Sequence, residues 1–384
     1  MRVRKISALQ GEPMHKDVMP PSGDALIQGK AAGETIGLRM EGPAARHNSF
    51  DSLRLIAAIS VIASHSFLLT SGVYDSEPLF WASGGQITIG SLAVGVFFVI
   101  SGLFISASFE RTRNKWDFVR NRALRIMPAL IVAISVLVLV VGPIVTAVPL
   151  SSYFQSGETW LYFRNIAFLP MALHLPGVFE SNTLQTVNES IWTLKFEVAC
   201  YIIAAMVLLV PKLVRPVVIA GWLASFLIVR YWPNANGVSG AEYYIVAIAR
   251  MFRFFGAGML IYLYRHRIPL DGRLAWASLL LPALFINTDW FVEAAAFFGS
   301  YSVIAFGYLA PNGFRALTAR GDVSYGVYIY GWPIQQLLWP VGQGSSVHWL
   351  INTALAIPLA LMLGRASWLL IEKPALTLKQ RKRQ

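Results

Sequence analysis

Ten mostly apolar stretches, separated by short polar segments, leave this 384-residue chain few folds to choose from. They lie near 53–72, 87–108, 126–148, 190–210, 216–232, 243–264, 273–288, 291–310, 323–340 and 347–371. A helix that crosses about 30 Å of hydrocarbon needs roughly 20 such residues. In lipid every backbone N–H and C=O must also bond inside the segment, so helices are the natural solution. The expected fold class is therefore all-α: a polytopic integral membrane protein of about ten transmembrane helices. The chain is 55% hydrophobic and only 14% charged, whereas a soluble domain is about 25% charged.

The charges that remain are placed by topology. With the N-terminus inside, alternate segments collect 27 of the 32 Lys and Arg, leaving Arg164, Lys195, Arg230, Arg250 and Arg253 elsewhere. That partition follows the positive-inside rule and puts both termini in the cytoplasm. It also accounts for the net charge of +12 without nucleic acid, which is not expected as a partner. One cysteine, Cys200, excludes a disulfide framework and any multi-cysteine metal site, and no metal is expected. Residues 1–48, rich in Gly, Pro and charge, read as a disordered cytoplasmic extension, with Met40 a second candidate start. Residues 49–375 form the membrane domain and 376–384 a basic cytoplasmic tail.

Ionisable residues inside apolar stretches carry the functional argument, because burying them in a membrane is costly. Arg54 and His65 share the first stretch; 11 residues at about 100° each bring them within about 20° of one face, roughly 16 Å apart. A neutral imidazole takes a proton from a hydroxyl and returns it, and arginine binds phosphate. The pair matches a cofactor with phosphates at one end and a reactive group on a long arm, as in acyl-coenzyme A. A histidine packed and bonded between helices fits the same sequence.

Further groups join this pair. Arg120, Arg122 and Arg125 lie in the basic segment 111–125, beyond the second stretch, whose Ser101 and Gly102 allow close helix approach. Pro128 suits the start of a new helix. Glu197 lies just inside the fourth stretch, with Asn188 and Trp192 near its mouth, and is expected to pair with His, Lys195 or an arginine. Arg250 and Arg253 are spaced for one helix face and need a carboxylate or an anionic ligand; Glu197 or Glu242 is the expected structural partner. Tyr325 and Tyr328 belong to a polar-aromatic stripe in the ninth stretch, which Pro333 kinks. The aromatic segment 149–189 suits a membrane-interface belt, and a sugar-stacking surface as well.

Taken in order, "GVFFVISGLFI", "RNRALRIMP", "LPGVFESNTLQTVNESIWTLKFEVACY", "SYGVYIYGWP" and "IEKP", together with Arg54 and His65, resemble the acyltransferase-3 family of integral membrane O-acyltransferases. The resemblance runs from about residue 49 to 375 and implies the stand-alone form without an esterase-like domain. It implies transfer of an acyl group, acetyl above all, from acetyl-coenzyme A or another acyl-CoA. The acceptor would be a hydroxyl of a cell-surface or lipid-linked polysaccharide, at a bacterial inner membrane. His65, Glu197 and Arg54 would be catalytic. Arg54, Arg120, Arg122, Arg125 and Ser101 would hold acyl-CoA. Asn188, Trp192, Arg250, Arg253, Tyr325 and Tyr328 would serve the acceptor or the structure. Many members carry a histidine where this chain has Gly331. O-acylation of a secreted small molecule, and a transporter or flippase of an acyl donor or glycan lipid, are the rival functions.

Overall fold

The computed structural model describes residues 33–41, 45, 47–168, 170–232 and 240–378. Among them, a helix falls on every one of the ten apolar stretches: α1 Phe50–Ser71, α2 Ile89–Arg111, α3 Lys115–Val145, α4 Trp192–Leu208, α5 Val214–Tyr231, α6 Ala241–Leu263, α7 Gly272–Phe285, α8 Phe291–Leu309, α9 Ser324–Leu338 and α10 His348–Thr377. Seven of these (α1, α2, α3, α5, α6, α8 and α10) are long and apolar enough to cross a membrane. The protein is a multi-pass membrane protein. The expected ten crossings also need α4, α7 and α9, which are shorter; α4 has 17 residues and α9 has 15.

Helices α1, α2, α5, α6, α9 and α10 make the densest packing. Small residues allow it, since lipid supplies no hydrophobic drive between helices and close backbone approach must do the work. Where α2 crosses α6, a methyl on Gly102 would collide with the Phe255 carbonyl, and one on Gly258 with the Val99 carbonyl. Where α1 meets α9, a Cβ on Gly331 would lie 2.8 Å from Ile62 Cγ1. A histidine there would have to push the Ile62 side chain aside, so the missing imidazole and the tight α1–α9 contact go together.

Pro333 cannot donate to the Ile329 carbonyl one turn back. The Asn188 side-chain amide fills that gap at 2.9 Å. Around it, residues 182–188 are fastened along α9. Asn182 donates to Gln336 Oε1 at 2.8 Å, Gln336 to the Leu184 carbonyl at 2.8 Å, and Trp332 Nε1 to the Thr186 carbonyl at 3.1 Å. Of the polar stripe expected on α9, Gln336 therefore holds this loop.

Two expectations need correction. The segment 111–125 is mostly helical rather than loop: Asn114 caps α3 by accepting from the Trp116 N–H at 3.0 Å, and Lys, Arg, Ala and Leu then propagate it. Pro128 therefore sits inside a helix instead of starting one. The disordered extension also does not reach residue 48. A short helix, Ile36–Glu41, docks on the α6–α7 connection, with Ile36 fully buried, its N–H bonded to the Ile268 carbonyl and Arg265 paired with Glu41. Most of the remaining extension, and tail residues 379–384, lie outside the described residues.

Candidate active site

The helical start of α3 decides which arginines face inward. Arg122 and Arg125 are three residues apart and so share a face; both line a cavity of about 90 Å³ together with Arg54 of α1. Arg120 falls outside it and pairs with Asp117 at 3.4 Å. The other walls come from α2, α4 and α9: Ser101 and Phe104, Thr193 and Glu197, Tyr325 and Tyr328. On α2 the lining runs from Val94 to Ile105, a span of roughly 16 Å at 1.5 Å per residue. The space is thus narrow and long, cationic at one end and apolar at the other.

Asp322, just before α9, organises the cationic end. Its side chain is buried, pairs with Arg125, lies 3.9 Å from Arg54 and accepts from the Ser324 N–H at 3.1 Å. Burial alone would raise its carboxyl, but Arg125 and Arg54 hold it below the ordinary carboxylate range. Arg54 also pairs with Asp51 at 3.0 Å and lies over the Phe104 ring. Arg122 has no carboxylate within 4 Å among the described residues, and its Nε is buried without a partner.

Glu197 takes neither histidine, lysine nor arginine as a bonded partner. Ser101 donates to its Oε1 at 3.1 Å and Tyr201 donates to the same oxygen, which leaves Oε2 without a protein donor among the described residues. Lys195 instead lies over the rings of Phe196, Tyr243 and Tyr244. Tyr328 bonds Thr193 at 2.7 Å, and the Tyr325 hydroxyl donates to the Ile126 carbonyl at 2.9 Å.

His65 does not line the cavity. Antiparallel packing sets its level: Arg54 faces Phe104, while Ser64 packs on Gly90, one turn before Val94 where the lining ends. Its ring meets Trp332 edge-on at 4.9 Å, and Trp332 is one turn beyond Tyr328. His65 therefore stands about one helical turn past the apolar end, with Nδ1 buried and unpartnered.

The remaining candidates lie apart from the cavity. Arg253 is buried and paired at 3.1 Å with Glu293 of α8, instead of Glu197 or Glu242. Arg250 is exposed and, with Trp192, lines a separate groove. Asn188 serves the α9 backbone. Sequence reasoning missed Asp322, Thr193 and Tyr201. Asp322 sits beside the recognised "SYGVYIYGWP" and carried the better signal, as an acid at the edge of an apolar stretch.

A family model describing an acyltransferase domain matches residues 47–370. Among curated proteins, the chain is 28% identical over 338 residues to an O-acetyl transferase of Shigella phage Sf6, covering 86% of this chain and 97% of that protein. It is 27% identical over 376 residues to nodulation protein 10 of Rhizobium leguminosarum bv. viciae, covering 88% and 97%. It is 25% identical over 340 residues to the peptidoglycan O-acetyltransferase OatA of Listeria monocytogenes, covering 76% of this chain and 50% of OatA. No solved structure matches.

Proposed function

This chain belongs to the acyltransferase-3 family and is an O-acyltransferase, and on that premise we propose that it moves an acetyl group from acetyl-coenzyme A to a hydroxyl of a polysaccharide or lipid-linked glycan. The observation that carries this reading is one narrow cavity joining three arginines to Glu197 and running toward the level of His65. The cationic end suits the donor's phosphates, with Arg122 the arginine that lacks a carboxylate partner. Positive-inside orientation puts that end at the cytoplasmic face, where acyl-CoA is made. Relatives named as O-acetyl transferases support acetyl as the group moved.

The chemistry follows from these placements. His65 takes the proton of the acceptor hydroxyl, the hydroxyl oxygen attacks the thioester carbonyl carbon, and the carbon–sulfur bond breaks. The proton then returns to the departing thiolate, giving free coenzyme A and an ester. Arg54, Arg122 and Arg125 hold the donor. Glu197, fixed by Ser101 and Tyr201, presents its free oxygen to the arm and helps keep the guanidinium end in place. For the thioester to reach His65, the aromatic stretch at Phe97, Tyr328 and Trp332 must let the arm pass.

The test is release of ester-linked acetate by mild alkali from the envelope glycans of a deletion strain, complemented with wild type or His65→Ala at equal expression. The expected outcome is ester restored by wild type and reduced about 10²–10⁴-fold by the variant, the range for loss of a general base. Equal restoration by both removes His65 from the chemistry. No ester change on deletion, with no coenzyme A released, moves the transporter reading ahead.

A further inference from the structure

On the other side of α4 from the catalytic cavity lies a groove of about 370 Å³ lined by Trp192, Lys195, Tyr243, Arg250 and Glu189. Neither cation has a carboxylate within 4 Å among the described residues. Lys195 Nζ stands 5.0–5.5 Å from the rings of Phe196, Tyr243 and Tyr244. Arg250 is exposed although it lies nine residues into α6, roughly 14 Å from the helix start. A guanidinium at that depth without a counter-charge is costly unless an anion meets it or its long side chain reaches water. Arg253, three residues on, shows the internal solution: burial against Glu293 at 3.1 Å.

Further along α4, and overlapping the first groove in level on α6, α5 joins these helices to form a second groove of about 300 Å³, almost wholly apolar, with Ile203, Val217, Gly221, Ile245, Ile248 and Phe252 in its walls. Paired cations beside aromatic rings, next to an apolar channel on the same two helices, match an amphiphile with an anionic head. The position is equally specific. Thr193, Leu194 and Glu197 face the catalytic cavity, while Trp192 and Lys195 on the same helical turns face the groove.

Building on the acetyl-transfer reading, we propose that this groove is the acceptor's docking site and that the acceptor is a glycan carried on a long-chain lipid phosphate. Lys195 and Arg250 take the phosphate, Trp192 and Tyr243 stack on the first sugar, and the chain lies between α4, α5 and α6. The glycan is then held one helix away from the donor cavity. Glu189 shares the groove, and burial raises its carboxyl above the usual range, which favours the neutral form beside a phosphate.

The experiment uses the full chain in zwitterionic phosphatidylcholine nanodiscs, without acyl donor, and reads retained lipid by native mass spectrometry. The probes are a polyprenyl phosphate, the matching neutral polyprenol, phosphatidic acid and inorganic phosphate. The wild type is expected to prefer the polyprenyl phosphate. The Lys195→Gln/Arg250→Gln variant is expected to bind it about tenfold more weakly, as loss of charge-assisted bonds implies. Lys195→Arg/Arg250→Lys, which keeps the charge, is expected to retain the preference. Equal retention of polyprenol or of phosphatidic acid, displacement by inorganic phosphate at matched concentration, or an unchanged Gln variant overturns the proposal. The readout needs no turnover, so absence of acetyl transfer would count against the function alone.

Discussion

Two arginine sites of this bundle differ in consequence. Arg253 on α6 is buried against Glu293 of α8 at 3.1 Å and lines none of the cavities described above. Arg122 on α3 belongs to a set of three guanidiniums around a cavity and has no carboxylate partner of its own among the described residues. Both guanidiniums are withdrawn at least in part from water, which is costly. Only unmet charge beside empty space marks one of them as a place for a ligand.

The sharpest way to break that distinction is the closed pair. Arg253→Ala or Glu293→Ala leaves one charge buried and is expected to destabilise by about 3–5 kcal/mol, while Arg253→Met with Glu293→Leu is expected to recover most of it. Thermal unfolding of the detergent-solubilised protein reads this; a silent single variant would make the two sites equivalent after all.

Asp322 gives a smaller, pH-linked effect. Asp322→Asn removes the shared partner of Arg54 and Arg125 and is expected to cost about 2 kcal/mol at neutral pH. Its folded-state pKa is lowered, so the ionised carboxylate stabilises the fold above the ordinary aspartate pKa, about 3.9. That advantage is lost as pH falls through the still lower folded value. Wild-type and Asn-variant melting curves should therefore be apart at pH 7 and converge well below pH 4. A gap that persists in acid would mean the contribution is packing.

The mildest change is predicted for the open site. Arg122→Ala should leave the melting temperature nearly unchanged and raise KM for acetyl-coenzyme A about tenfold, the cost of one charge-assisted contact. An unchanged KM with a lower melting temperature would reverse the comparison and make Arg122 structural.

A helix on each apolar stretch, seven of them long and apolar enough to cross a membrane, was legible because apolar length, basic flanks and small residues such as Gly102 are local signals. Arg54, Ser101, Glu197, Tyr325 and Tyr328 stood out as polar groups in apolar stretches, Arg122 and Arg125 as part of a basic flank, and the fold brings all seven to one cavity. The sequence alone could not choose partners. It left Glu197 to a histidine, a lysine or an arginine where the fold supplies Ser101 and Tyr201. It offered Asn188 to a substrate where the fold gives it to the carbonyl freed by Pro333. Arg125 meets Asp322 across 197 residues, and Arg253 meets Glu293 across 40. Periodicity fixes which face of a helix is apolar, but helix crossings alone decide which residue stands opposite, and in a low-dielectric interior that neighbour determines whether a charge is neutralised or left open to a ligand.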